Sequence, residues 1–464
     1  MTRHSIPIGL AVSAVLLAPA SVVLVSLPEA HAQEASSAEG APMSLTLPAA
    51  VDLAIAHNHK LELARLSVQD MEEQKRVAQS YFYPHIRNES ATLHITELEG
   101  IVLPAGALSH GTSAGPIPAE TLRIDQGAST TYTSGTGLDQ PLTQMFRIHA
   151  GVKAANADLE SARIQAQDAE YSIALEVHQL YCNYLIEELR ASAAQDSLSA
   201  AATAEEENKQ ALQDGKVLAD VELASRASLL DQQRTVLESK LSLDNLTLRL
   251  DDLLGLPMGT KFILEAGSVS DAPELPSRAE AIAEILAKNP GILVAQQSVA
   301  KARAGLAVAH DAYIPDITGI ARYSYQSGLP FFTHNFGTFG ASVTYDLFDG
   351  GAREARVRDA RVTLSMAQAR LAQAEDDARV DVSAAYDKAE DLEQLLKVAS
   401  LTLETREESL RIQSQRAGAG AELASGVASA RAAVTTAKVN VLEAKLDLYL
   451  ARNDVLRLLG ERPQ

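Results

Sequence analysis

Side chains able to do chemistry are few and scattered in this 464-residue chain. Its one cysteine, Cys182, lies in the apolar run Leu-Tyr-Cys-Asn-Tyr-Leu. Alone it can form no internal disulfide and lacks the partners of a thiolate zinc site, so it reads as a small packing residue. His57 and His59 stand two apart in a helical pattern, on different faces, which makes a poor metal pair. His85, His94 and His110 are spread along a β region and do not form one constellation. No nucleophile elbow, phosphate loop or zinc-protease helix occurs. The sequence therefore predicts no catalytic residue, no metal site and no cofactor. Function must lie in shape and surface.

The formal net charge of −20 leaves no basic footprint to displace counterions from nucleic acid, so no nucleic-acid partner is expected. Arg3 and His4 precede an apolar run from Ile6 to about Leu27, and Ala30-His-Ala32 fits a small-residue cleavage site. Residues 1–32 read as a secretory signal peptide. The apolar run approaches spanning length, so an uncleaved anchor is the alternative. No cysteine adjoins the cleavage site, which excludes lipoprotein processing. No later run suits a transmembrane helix, so entry into a membrane would require strands closed into a barrel.

The elements that position the rest come in two copies. Residues 56–86 match residues 287–317 in length and pattern, each a helix stopped by a proline, in Phe82-Tyr83-Pro84 and in Tyr313-Ile314-Pro315. The first repeat is expected over 33–267 and the second over 281–464, joined by a polar, proline-bearing linker, 268–280. Each runs helix, β-hairpin region (about 86–142 and 316–348), long helix, glycine break near 215 or 418, and a closing helix ending in Leu-Gly. Val357, Leu364, Leu371 and Ala378 recur every seventh residue with Ala360, Ala367 and Ala374 between them. Leu159, Ala162, Ala166, Ala169 and Ile173 step by three and four. These are coiled-coil seams whose alanines permit close approach. A helix of roughly 65 residues is on the order of 100 Å long and asks for lateral neighbours.

In the second repeat Ala321, Tyr323 and Tyr325 alternate with Arg322, Ser324 and Gln326, and Val343 to Phe348 alternates likewise. Such two-faced strands suit a membrane barrel with water inside; a hairpin on a soluble sheet would show the same pattern. Asp349-Gly350-Gly351 then hands the strand to a helix, the glycines absorbing the change of direction. Residues 98–120 of the first repeat read as a mobile exposed loop.

With these motifs the chain resembles the TolC-like outer-membrane efflux proteins. The likeness is carried by residues 289–317, by 343–360 (VTYDLFDGGAREARVRDA) and by 416–460, with their first-repeat counterparts. It implies a mainly α fold with a β membrane part: a homotrimer, each subunit giving four strands to one outer-membrane barrel, continued by a periplasmic α-helical barrel. It implies a passive exit duct in the outer membrane, contacting its lipid and fed by an inner-membrane pump of the resistance-nodulation-division or ABC type through a periplasmic adaptor. Adaptor docking falls by this resemblance on Gly215, Lys216, Val217, Leu218 and Asp220, and on Gly418, Gly420, Ala421, Glu422 and Leu423. Family members often ring the pore with aspartates just past the second turn; Ala424 and Val427 stand there instead. Asp220, Glu222 and Glu422 form an acidic pore mouth or simply solvated helix ends. The duct of a one-step protein secretion system is the alternative, and a periplasmic coiled-coil scaffold a more distant one.

Overall fold

The computed structural model describes residues 43–463 except 97–99, 114, 125–129, 270 and 330–331; the expected signal peptide lies outside the described residues. The first half runs β1 (Met43–Leu45), α1 (Leu47–His57), α2 (His59–Ser80), β2 (His85–His94), β3 (Ile101–Leu103), β4 (Ser109–Thr112), β5 (Gly115–Ile117), β6 (Leu122–Ile124), β7 (Thr130–Pro141), α3 (Met145–Gln213), α4 (Ala219–Leu254) and β8 (Phe262–Leu264). The second runs α5 (Arg278–Lys288), α6 (Pro290–Asp311), β9 (Asp316–Ser327), β10 (Asn335–Thr344), α7 (Ala352–Gly418) and α8 (Ala424–Leu458). Corresponding helices match closely: α1 and α5 have 11 residues each, α2 and α6 22 each, and α3 and α7 69 and 67.

β2, β7, β9 and β10 form one antiparallel sheet in the order β10-β9-β7-β2, so β10 and β2 are its free edges. Helices continue from the strand ends. Toward the sheet, α3 packs between α2 and α6, with α7 beyond α6. Toward the far tips, α3 packs between α4 and α8, with α7 beyond α8. The alanine seams lie where the heptads predict: Leu159, Ala162, Ile173, Val357, Ala367 and Ala378 are buried. Over the middle of α3 lies a layer made by β1, α1 and β8, with β1 and β8 pairing in parallel. Tyr181 anchors it: its hydroxyl donates to the Leu45 carbonyl at 2.8 Å and accepts the Glu265 N–H at 2.9 Å. Tyr386 does the same kind of work on α7, donating to the Pro276 carbonyl at 2.8 Å.

Three expectations change. The helices ending at the Tyr-Pro stops begin at His59 and Pro290, not at Ala56 and Ala287, because Asn58 and Asn289 cap them. The Asn58 side-chain oxygen accepts the Lys60 N–H at 2.9 Å and that of Asn289 accepts the Ile292 N–H at 3.2 Å. Their amide nitrogens hold the ends of the closing helices, Asn58 on the Leu253 carbonyl and Asn289 on the Leu458 carbonyl. In place of the loop expected over 98–120, the described residues pair as strands, β4 with β5, and β3 with β6 just beyond that span. The strand expected to run to Phe348 ends at Thr344, which pairs with Asp316; the next partner would be Pro315, which has no N–H to continue the ladder.

Candidate functional site

Both tips are built alike. Gly215 and Gly420 take the left-handed conformation (φ +71° and +73°). The following N–H closes each turn, Lys216 onto the Ala211 carbonyl at 2.8 Å and Ala421 onto the Arg416 carbonyl at 2.9 Å. That bond satisfies a carbonyl the helix end would leave free. Gly418 is still helical, so of the two glycines at the second tip only Gly420 makes the turn. Leu218 and Leu423 then occupy the N-cap positions of α4 and α8, without a capping side chain and 73% and 64% exposed. Val217 is half-buried beside them, Lys216 pairs with Asp214 at 2.9 Å, and Ala421 is exposed.

Asp220 and Glu222 lie in the first turn of α4, where negative charge meets the positive end of the helix dipole. Glu422 precedes α8 and folds back over Gly426: a Cβ there would stand 2.5 Å from its carboxylate oxygen. No hydrogen bond or ion pair joins Asp220, Glu222 and Glu422 to one another among the described residues. Ala424 and Val427 occupy the first turn of α8.

What sequence reasoning missed is how the tips are tied. Glu207 on α3 reaches the start of α8, one oxygen accepting the Ser425 N–H at 3.1 Å and the other its hydroxyl. It supplies the cap that Leu423 cannot. Higher up, the Thr435 hydroxyl donates to Asp196 at 2.6 Å and Arg190 pairs with Glu443 at 2.7 Å. Glu207 sits in a run of three glutamates, and nothing local distinguishes it.

At the other end of the long helices, Arg147 and Arg353 hold the strand-to-helix joints. Arg147 pairs with Asp316 at the start of β9. Arg353 bonds Asp349 at 3.0 Å, donates to the Asp346 carbonyl and stacks on the Tyr345 ring at 4.8 Å. The Arg353 N–H, then its guanidinium, and the Gly351 N–H all donate to Asp349 and hold its carboxyl below the usual range. Leu347 and Phe348 are thrown outward, 91% and 88% exposed.

The sheet has one charged face. Arg87 lies 3.4 Å from Glu89 and 4.0 Å from Asp139, and Arg322 lies 3.7 Å from Glu89. Gly135 makes room for the Arg322 guanidinium, which a Cβ would meet at 2.6 Å. The opposite face carries Tyr323, Tyr325, Phe339 and Val343 in the second half. In the first half that face mixes Ile86, Leu138 and Tyr132 with polar groups that satisfy one another: Asn88 donates to Thr136 and Ser90 bonds Ser134, each at 2.9 Å.

The family model of outer membrane efflux proteins matches residues 50–256 and 281–461, leaving the linker between. The chain belongs to that family. It is an outer-membrane protein reaching into the periplasm, from a family of channels rather than enzymes. The CmeC outer membrane channel of Campylobacter jejuni is similar over 90% of this chain and 87% of its own, with 17% identity and a TM-score of 0.73. The MtrE outer membrane channel of Neisseria gonorrhoeae, solved in its open state, is similar over 90% of both chains, with 19% identity and a TM-score of 0.71. CusC shares the fold at 16% identity and a TM-score of 0.70, over 92% of this chain and 96% of its own. No curated protein matches in sequence.

In an outer membrane efflux protein the sheet is the membrane part, and its charged face must turn to water, since hydrocarbon gives charge no partner. The aromatic side chains at the strand–helix joints, Tyr83, Phe146, Tyr345 and Phe348, then fall at the periplasmic boundary, where such rings are favoured. No helix is long and apolar enough to cross a membrane among the described residues. No group of three or more His, Cys, Asp or Glu side chains there could hold a metal ion. Cys182 is fully buried and burial pushes its thiol up to about 12.

Proposed function

We propose that three copies close into a passive exit duct, fed at its periplasmic tips by an adaptor and an inner-membrane pump. The observation that carries this reading is a pair of unsatisfied flanks on one chain. β2 and β10 each leave a ladder edge open, which hydrocarbon does not tolerate. Below them Leu223, Leu230 and Leu237 recur every seventh residue on α4, joined by Leu241 and Leu248, all between 45% and 68% exposed. On the far side α7 exposes Val362, Met366, Val380, Leu395, Val398 and Leu401. A ring brings the α4 flank of one copy against the α7 flank of the next and pairs β10 with β2 antiparallel.

Three is the smallest ring that leaves a duct. Two copies give eight strands, whose interior side chains fill, whereas twelve enclose water for the Arg87–Arg322 face. Covering the half or so of each α4 leucine that is still exposed contributes about 0.7–2 kcal/mol, enough collectively to order the ring. Substrate then moves by diffusion, with no cofactor involved. At the tips Leu218 and Leu423, paired by the turn geometry and exposed on rigid helix starts, are the anchors that a helical adaptor would cover. Asp220, Glu222 and Glu422 lie at the same end and lend it negative charge.

The test has two arms. Mature protein extracted from outer membranes in detergent should run as a trimer and conduct ions in planar bilayers; a detergent-free, water-soluble monomer refutes the ring. Leu218→Asp with Leu423→Asp should keep the trimer but abolish crosslinking to the adaptor and efflux; unchanged efflux removes the tips from the docking surface.

A further inference from the structure

Just past the joint, α3 and α6 diverge around a groove of about 880 Å³, within the range of small-molecule sites. Its floor is apolar, with Ala150, Ala157 and Ala304 buried. Its rim is basic: Lys153 from α3, Arg303 from α6, and Lys75 of α2, whose ammonium bonds the lining Asn156 at 2.7 Å, with the imidazole of His149 beside them. One acid, Asp311, faces them. In a chain of net charge −20 this local excess of positive charge is unusual. Lys75, Lys153 and Arg303 make no ion pair among the described residues.

Two facts locate the groove. Lys153 lies whole heptads before Tyr181, and His149 and Asn156 lie whole heptads before Val177, so in a coiled-coil helix they share the flank of α3 that carries the β1–α1–β8 layer. On the ring reading that flank is the outer wall, because such layers in every subunit would block the duct. α3 and α6 are also the inner pair of the row α2-α3-α6-α7, so a neighbouring copy, meeting α2 or α7, does not cover the groove. Met145 and Phe146 stand at its upper end, at the strand–helix joint. Lys153 is about 12 Å further down α3, and a headgroup layer is about 5–8 Å thick. Long cationic side chains bridge that difference by snorkelling.

We propose that this groove holds an anionic phospholipid of the periplasmic leaflet, its phosphate between Lys153 and Arg303 and its acyl chains against Met145 and Phe146. Basic pockets between helices at a membrane boundary are suited to such headgroups. The lipid would tie α3 to α6 beneath the barrel of each subunit.

The inference rests on the ring reading for the direction the groove faces, and native mass spectrometry separates the two, since assembly mass reports the ring and the adducts report the lipid. Wild-type protein is exchanged into micelles containing phosphatidylglycerol or phosphatidylethanolamine, with inorganic phosphate as a third arm. Retained phosphatidylglycerol is expected, at least tenfold over phosphatidylethanolamine, with no competition from phosphate. Lys153→Ala with Arg303→Ala should lose it tenfold. Lys301→Ala, which breaks only the Lys301–Asp158 pair at 2.9 Å, should not. Ala300→Phe, which narrows the groove and leaves its charges, should also lose lipid. Equal retention of the neutral lipid, displacement by phosphate alone, or full retention by either groove variant in an intact assembly overturns the proposal.

Discussion

Alanine placed at four glycines should separate two physical costs that the fold keeps apart. Gly215, Gly420, Gly255 and Gly460 all have φ between +67° and +74°. Any L residue there incurs about 1–2 kcal/mol from the left-handed backbone. At the tips that is the whole cost, since a Cβ on Gly215 or Gly420 meets nothing within 4 Å. At the ends of the closing helices it is not. A Cβ on Gly255 would stand 2.8 Å from the His57 Cβ, and one on Gly460 would stand 2.6 Å from the Lys288 carbonyl oxygen. Those contacts are with the α1–α2 and α5–α6 corners that Asn58 and Asn289 already hold, so the backbone there has little room to yield. Overpacking of this kind adds about 1–3 kcal/mol, for totals of about 2–5 kcal/mol. Denaturant titration of each purified variant, followed by far-ultraviolet circular dichroism, should rank Gly255→Ala and Gly460→Ala as clearly less stable than Gly215→Ala and Gly420→Ala. Equal losses at all four sites, or larger ones at the tips, would refute the close-approach account of the Leu-Gly helix ends.

Acid should act through His178, which is buried and stacked on Tyr449 with its Nδ1 3.0 Å from the phenol oxygen. Burial, with the positive Arg462 adding to it, lowers its pKa to about 4. The unfolded chain therefore binds this proton first, and stability falls as pH drops from about 6.5 to 4, by about 3 kcal/mol at most. Melting curves across that window should be flatter for His178→Phe than for wild type; identical pH dependence excludes the histidine as a cause. Glu207→Ala removes the cap of α8 and should cost about 1 kcal/mol, visible as faster hydrogen exchange at residues 424–428 with the sheet unaffected. Unchanged exchange there means Ser425 is held by something else.

Much of the architecture was legible because it depends on period and punctuation. The seam from Val357 to Ala378 and its counterpart from Leu159 to Ile173 announce helices that pack on helices. Pro84 and Pro315 stop the helices before the barrel strands, and Gly215 and Gly420 are the residues a left-handed turn requires. Those signals are local, since each is set by backbone geometry within a few residues. Periodicity identifies which face of an element is buried, not which element buries it. The order β10-β9-β7-β2, the sharing of Asn58 and Asn289 between a cap and a distant helix end, and the groove between α3 and α6 have no local signature. Nor does the reach of Glu207 to Ser425, 218 residues away. Local patterning is enough to specify two repeats of strand pairs and long rods with apolar stripes. Which rods meet, where a glutamate must serve a helix it does not belong to, and which flanks are left for another copy emerge only in the folded chain, because they depend on side chains brought together from far along it.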